Sequence, residues 1–430
     1  MSQTDVPLRS RVRSRLPFDV DALTAAPVRR FFIGTLLGAF GSGTTFALFV
    51  LYCVHIRHFS LVDSTFVLAW EAILGTALAP LYGTLVDRHG PSIVLTVSMP
   101  IVAGGITAIG FASTLPMMFG VATLISAGGA GMWSAFTVLI TRIVPEEHRQ
   151  DAFGINFWLI NVGIGLGSII GTQIASLHNL RSFQILYALS GALSLVDAAL
   201  LFSLRRFGGK LASAESHELA GEGWLTVLRD RRMLRLVVAS LLVMICGYGS
   251  IEAGLPVFVT SVDHLSIHVV GLLVASNTLT IIVAQMFVLS GVRGKSRSWL
   301  LGLVGLLWGA SWLLATSSIY IGSAAAIVAL CIGQVVFATG ETIWQPVSPA
   351  LVNELAPEHL RGRYNALLGI IWSVSSAVGL VIAGVFLQFL SGAIWTIFLA
   401  AGAMLGGLGL TTMRHVITPA QDGRVVMAAT

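Results

Sequence analysis

Twelve apolar stretches, each close to the length that a helix needs to cross a lipid bilayer, leave this chain few ways to fold. About 20 apolar residues carry a helix across the hydrocarbon core. In that medium every backbone N–H and C=O needs a partner within the protein, so only helices and closed barrels span it. The stretches run near 31–54, 64–86, 92–111, 115–141, 152–176, 183–204, 235–260, 268–290, 298–316, 319–352, 363–389 and 393–413, and are called segments 1 to 12 here. Only 10% of the residues are charged, against about 25% in a soluble domain. The expectation is an all-α integral membrane protein of twelve transmembrane helices.

The loops give the orientation. With the N-terminus inside, all Lys and Arg fall on the inner side except Arg57 and Arg181. A missed or extra span would scramble that asymmetry, which matches the positive-inside rule. Residues 1–30 are basic and lack the short apolar core and cleavage site of a secretory signal, so segment 1 is expected to stay in the membrane. The expected order is a cytoplasmic tail (1–30), a six-helix half (31–204), a cytoplasmic linker (205–234), a second six-helix half (235–413) and a cytoplasmic tail (414–430). Both termini are then cytoplasmic, in the inner membrane of a bacterium.

The halves read as a repeat. Segment 4 leads into Pro145-Glu146-Glu147-His148-Arg149 and segment 10 into Pro357-Glu358-His359-Leu360-Arg361, with one offset between the prolines and between the arginines. Two such halves are a signature of many secondary transporters, whose substrate sites lie between the halves near mid-membrane.

The loop after segment 2 reads Gly83-Thr84-Leu85-Val86-Asp87-Arg88-His89-Gly90. It resembles the Gly-x-Leu-x-Asp-Arg-x-Gly-Arg-Arg loop of the major facilitator superfamily, with Pro91 and Ser92 in place of the last two basic residues. The equivalent loop after segment 8, Ser290 to Lys295, lacks the acid. The resemblance implies the two-half major facilitator fold. It also implies a latch of Gly83, Asp87, Arg88 and Gly90 that holds the cytoplasmic ends together, with Arg142 or the start of segment 11 (Gly362, Arg363) as partner. A carboxylate at a helix end pairs naturally with an arginine or with a helix N-terminus.

Segment 5 carries Gly154, Gly163, Gly167 and Gly171. They match the spacing of that family's antiporter motif, with Ser168 for its proline and Thr172 for its last glycine. By resemblance these glycines seal the seam between halves and favour an exporter. Thr123 stands where the family often has an arginine in segment 4, and segment 1 lacks the acid of fourteen-span drug exporters. Both departures are similar to the twelve-span drug:proton antiporters.

Four acids lie within apolar segments: Glu71, Asp197, Glu252 and Glu341. A charge at mid-bilayer costs at least roughly 2.5–3.5 kcal/mol and marks a functional candidate. The family arrangement places segments 7 and 10 on the pathway, so Glu252 and Glu341 are the leading proton-coupling candidates. Glu71 follows as a third proton-coupling candidate or a gate, and Asp197 is expected to be scaffold. Glycines and Pro256 near Glu252 predict a bent helix. The candidate cavity lining is Phe46, Tyr52, Asn161, Tyr248, Asn277, Gln285, Gln334 and Trp344. No basic residue lies mid-span, which disfavours a strongly anionic substrate.

Cys53, Cys246 and Cys331 all fall in apolar segments and are expected to be free, buried hydrophobes. All ten histidines lie in loops, tails or helix ends, so no cofactor, haem or metal is expected. Gly294-Lys295-Ser296 ends like a phosphate-binding loop, but Leu289 stands where its first glycine belongs. The expected function is proton-coupled export of a small hydrophobic, neutral or cationic compound by a monomer in the bilayer, with no nucleic acid involved. The alternatives are a proton-coupled importer of a metabolite and, remotely, a membrane enzyme, for which no His, Asp or Ser cluster is evident.

Overall fold

The computed structural model describes residues 25–145, 148–209, 229–292, 294–357 and 361–424. Among them the secondary structure is entirely helical. The helices are α1 (Ala26–Phe46), α2 (Phe49–Ile56), α3 (Leu61–His89), α4 (Pro91–Ile109), α5 (Leu115–Gly129), α6 (Met132–Ile143), α7 (Arg149–Ile174) and α8 (Leu180–Phe202). After the linker come α9 (Arg231–Val262), α10 (Ile267–Gly291), α11 (Arg297–Ser318), α12 (Ser323–Leu355), α13 (Arg361–Phe389) and α14 (Gly392–Thr411). Short polar caps set many of the starts. Ser60 accepts the Asp63 N–H at 2.9 Å, and Asp230 accepts the Arg232 N–H at 2.9 Å, satisfying donors that a helix start leaves open.

Ten described helices are long and apolar enough to cross a membrane, and the pair α1–α2, bent by 41°, makes an eleventh. The remaining expected crossing, 115–141, is built in two pieces. Gly128, Gly129 and Gly131 crowd one point of weak helix propensity. There the Gly131 backbone lies against the Tyr82 ring, and the Tyr82 hydroxyl donates to the Ala127 carbonyl. Neither α5 nor α6 then has full spanning length.

Chain order before and after the linker gives two groups, α1–α8 and α9–α14, which also pack on each other through α3 with α13 and α7 with α10. Within the first, α1 packs on α7 and α8; within the second, α11 packs on α12 and α14. Two of the three apolar clusters follow that division, while the third, around Tyr52 and Phe183, takes in Ala253, Val257, Ile267 and Leu380 of the second group. One cluster around Trp308, Trp312 and Trp395 belongs almost wholly to the second group, and one around Phe31, Leu95 and Leu139 to the first. The two groups repeat local geometry. Tyr52–Ile56 and Phe258–Val262 are both π-helical turns. Each is followed by a histidine at positive φ, His58 at 56° and His264 at 52°, and then by a serine cap, Ser60 and Ser266.

The groups meet at the end of the bundle away from the chain termini. There Thr65 on α3 lies against Gly384 on α13, and the Val62 N–H donates to Gln388 Oε1 at 2.9 Å. Thr172 on α7 lies against Gly271 on α10. At the terminal end, Gly83 (α3), Gly154 (α7), Gly291 (α10) and Gly369 (α13) face open space, with no described atom within 4 Å of an added Cβ.

One contact fixes the corner where the linker enters α9. Tyr364 donates its hydroxyl to Asp230 Oδ2 at 2.9 Å. Burial first, and then Asp230, push the Tyr364 pKa up to about 12. Tyr364→Phe is expected to lower stability by about 1–3 kcal/mol, read as an earlier thermal unfolding midpoint in detergent. The neutral hydroxyl is the form that the fold favours. This contribution is therefore complete below the unfolded pKa of 10.0 and fades as pH climbs toward 12.

Candidate functional site

A cavity of about 120 Å³ lies between the two helix groups. Three helical stripes build most of its wall. On α9, Tyr248, Ile251, Glu252 and Leu255 face it; on α10, Val270, Val274, Asn277 and Ile281; on α12, Gln334, Phe337 and Glu341. Phe46, Ala47, Asn161 and Ile164 close it from the first group. No Lys, Arg or His lines it among the described residues.

Local irregularities aim these side chains. The α9 backbone passes through a π-helical turn, Ile245–Gly249, just before Glu252. Such turns insert an extra residue and are frequent at functional sites. Gly249 permits close approach to α13, where a Cβ would sit 2.1 Å from the Ser375 carbonyl oxygen. Ser250 then donates to the Gly379 carbonyl at 3.1 Å. On the opposite wall, the break between α1 and α2 leaves Phe46 and Ala47 at the cavity.

Glu341 is 9% exposed and shares a side-chain hydrogen bond with Asn277. Tyr248 interacts electrostatically with both Glu341 and Glu252, and its ring lies 6.1 Å from Phe337 and 4.6 Å from Trp372. Glu71, on α3 of the first group, lies within electrostatic reach of Glu252 on α9 of the second. Its neighbour Trp70 donates to Thr123 at 2.9 Å, and Ser126 donates to the Glu71 carbonyl at 2.9 Å. These two bonds fix that stretch of α3 to α5.

The structure therefore brings Phe46, Asn161, Tyr248, Asn277, Gln334, Glu252 and Glu341 to one cavity. Three other candidates lie elsewhere. Tyr52 is fully buried against Phe183 and Tyr187, and donates to the Ile109 carbonyl at 3.0 Å. Trp344 packs 5.9 Å from Trp308. Gln285 lies farther along α10, with a buried Oε1 that has no hydrogen-bond partner among the described residues. Phe337 and Thr278 also line the cavity. Phe337 stands one helical turn from Glu341 and from Gln334, a spacing that marks a shared face.

Asp197 is 4% exposed and sits between α8 and α1, away from the cavity. Its carboxyl fills the groove of Gly34 and Gly38, where an added Cβ would come within 2.2 Å and 2.8 Å of its oxygens. Cys53 and Cys246 are buried, Cys331 is half-buried, and all three are free.

The segment-5 glycines need a correction. Gly163, Gly167 and Gly171 pack against α1, within their own group, while Gly154 faces open space. The seam between groups uses other positions of α7: Gly165 lies against Thr278, and the Thr172 hydroxyl and the Ser168 carbonyl lie against Gly271, while the Ser168 hydroxyl donates to the Gly43 carbonyl on α1 at 3.0 Å. Ser168 and Thr172 are the two positions that depart from the motif.

At the terminal end, Arg88 is exposed, and Gly90, at φ 86°, packs on the carbonyls of Gly208 and Gly209. Arg142 donates to the carbonyls of Phe207 and Gly209, in the chain that follows α8. The side chains of Asp87, Arg361 and Arg363 lie outside the described residues, as does Gly362 beyond its place on α13.

The model of the Major Facilitator Superfamily matches residues 31–289. A Na(+), Li(+), K(+)/H(+) antiporter of Planococcus maritimus is 23% identical over 60% of this chain, and the match spans 64% of that relative's length. The uncharacterized MFS-type transporter YhjO of Bacillus subtilis (strain 168) is 21% identical, over 85% of this chain and 88% of its own. Among solved structures, the nucleoside transporter NupG superposes with a TM-score of 0.72 at 13% identity, over 90% of this chain and 99% of that one. The peptide transporter POT in complex with sulfate gives 0.73 at 16%, over 92% and 95%.

Proposed function

The chain belongs to the Major Facilitator Superfamily of membrane transporters, and from that premise we propose that it exports a small hydrophobic, neutral or cationic compound in exchange for protons. One observation carries the reading: Glu252 and Glu341 face a single cavity between the helix groups, among the amides of Asn161, Asn277 and Gln334. A cationic cargo and a proton compete for the same carboxyls. A proton arriving from outside neutralises them and releases the cargo; its loss inside restores the charge. Each proton moving inward releases about 2.3 kcal/mol per 100 mV. Glu71 extends the acid pair across the halves.

In this reading a single chain with twelve crossings works by alternating access. Under the orientation set by the loop charges, the end where Thr65 meets Gly384 faces outward. The Asp87 latch, in this reading, forms when the cytoplasmic ends close. A double substitution, Thr65→Cys with Gly384→Cys, tests the cycle. An added Cβ at Gly384 stands 3.1 Å from the Thr65 Cβ, near the roughly 3.8 Å of a disulfide. Oxidation is expected to stop transport and reduction to restore it; transport that continues through the cross-linked protein would exclude alternating access at this seam.

A second reading keeps the proton exchange and changes the cargo to an inorganic monovalent cation. It is favoured by the Planococcus relative, a Na(+), Li(+), K(+)/H(+) antiporter, and by a cavity of about 120 Å³, below the roughly 300–1,000 Å³ of drug-sized sites. Inverted vesicles carrying the protein separate the two. Quenching of an imposed pH gradient by lipophilic cations but not by Na+, Li+ or K+ supports the first reading, and the reverse supports the second. Cargo that enters with protons rather than against them would make the protein an importer.

A further inference from the structure

The chain beyond α14 folds back onto the bundle and docks on the loop between α10 and α11. Asp422 is fully buried there. Its Oδ1 accepts the Ser298 N–H at 2.8 Å; its Oδ2 accepts Ser296 Oγ at 2.7 Å and pairs with Arg424 Nε at 3.0 Å. Its carbonyl accepts the Arg297 N–H at 2.8 Å. Arg297 reaches two ways. It donates to the Gln421 carbonyl at 2.8 Å, and it pairs with Glu354, on the last turn of α12, at 3.5 Å. Gly423, at φ 76°, fits beside Arg297, where a Cβ would come within 3.3 Å.

The first group has a neutral counterpart. The chain after α8 docks on the α3–α4 loop, with Gly208 against Ser92 and with Arg142 holding the carbonyls of Phe207 and Gly209. The last turn of α3, which leads into that loop, carries its own acid, Asp87, whereas Ser290 to Ser296 contains none.

We propose that Asp422 is a positioning residue for the transport cycle: from the C-terminal tail, it supplies the acid that the α10–α11 loop lacks and joins α11 and α12 into one moving body. The carboxylate binds the start of α11 directly and orders Arg297, which holds the end of α12. Because α12 carries Glu341, the tie sets how that acid's helix moves with the rest of its group. A helix cap alone would steady α11 and leave α12 untouched, and this difference makes the proposal testable.

Hydrogen exchange on the full chain in nanodiscs reads the difference. Asp422→Asn is expected to raise amide exchange about tenfold at the start of α11 and also at Val352–Leu355, a stretch that Asp422 does not contact. Asp422→Glu is expected to restore part of the protection. Arg297→Gln, which leaves the Asp422 cap in place, is expected to expose the α12 end alone. In the Thr65→Cys, Gly384→Cys background, the rate of disulfide formation at the far end is expected to shift by about threefold with Asp422→Asn. Exchange that rises only around Ser298, with an unchanged cross-linking rate, would reduce Asp422 to a helix cap and overturn the proposal. Should Asp422→Asn fail to fold, Arg297→Gln alone decides: protection of Val352–Leu355 that survives it overturns the proposal equally.

Discussion

Glu252→Gln together with Glu341→Gln is expected to abolish accumulation of cargo against its gradient, because the amides mimic the protonated, cargo-releasing form of both acids. Glutamine keeps the size and hydrogen-bonding capacity of a protonated carboxyl but cannot take up or release a proton. Glu341 shares a hydrogen bond with Asn277, which an amide at position 341 can still make. One proton moving down a gradient of one pH unit supplies 1.36 kcal/mol, enough for about tenfold accumulation. Wild-type vesicles should therefore concentrate cargo roughly tenfold per pH unit and per proton, and the double variant should stop near onefold. The thermal unfolding midpoint and the elution profile in detergent, neither of which needs cargo, serve as the check on folding. Undiminished accumulation in the double variant would move the coupling elsewhere, with Glu71 next in line because it lies within electrostatic reach of Glu252.

Gly167→Val is expected to deplete the folded protein sharply. A Cβ at Gly167 would stand 2.2 Å from the Phe40 carbonyl oxygen and 3.0 Å from Gly43 Cα. The obstacle is backbone, so no rotamer change relieves it and α1 must pull away from α7. Overpacking of this kind costs about 1–3 kcal/mol and occasionally more, a large part of the roughly 5–15 kcal/mol that holds a typical fold together. The loss is read as lower abundance in the membrane and an earlier thermal unfolding midpoint. Gly154→Val is the internal control. It belongs to the same sequence motif but meets no described atom within 4 Å, and is expected to shift stability by well under 1 kcal/mol. Equal damage from both variants would mean that the motif acts through helix propensity rather than through the α1–α7 contact.

Hydropathy made the spanning helices legible, because a crossing needs a long uninterrupted apolar run and the bilayer tolerates little else. It did not show the break in the fourth segment, where apolarity continues through Ala130-Gly131 although the helix does not. The acids of the cavity were legible for a related reason. A carboxyl in an apolar helix is too costly to keep without a use, and Glu252 and Glu341 both face the same cavity. Aromatic and amide residues carried a weaker signal. Tyr52 and Trp344 look as suitable as Tyr248 in one dimension, but helix rotation turns them into packed cores. The glycines of segment 5 had the right spacing and gave no indication of which neighbour they face. Asp422 was invisible in the sequence, since its partners at Ser296 and Ser298 lie more than a hundred residues away and no local pattern joins them.

The central claim is that Glu252 and Glu341 exchange protons for cargo in the cavity between the halves. The most direct measurement traps a pH indicator inside proteoliposomes that hold an imposed pH gradient and follows proton movement when cargo is added. The account predicts that cargo dissipates the gradient through the wild-type protein and leaves it intact through Glu252→Gln with Glu341→Gln. Equal dissipation through both proteins, or cargo movement without any proton movement in the wild type, would contradict it.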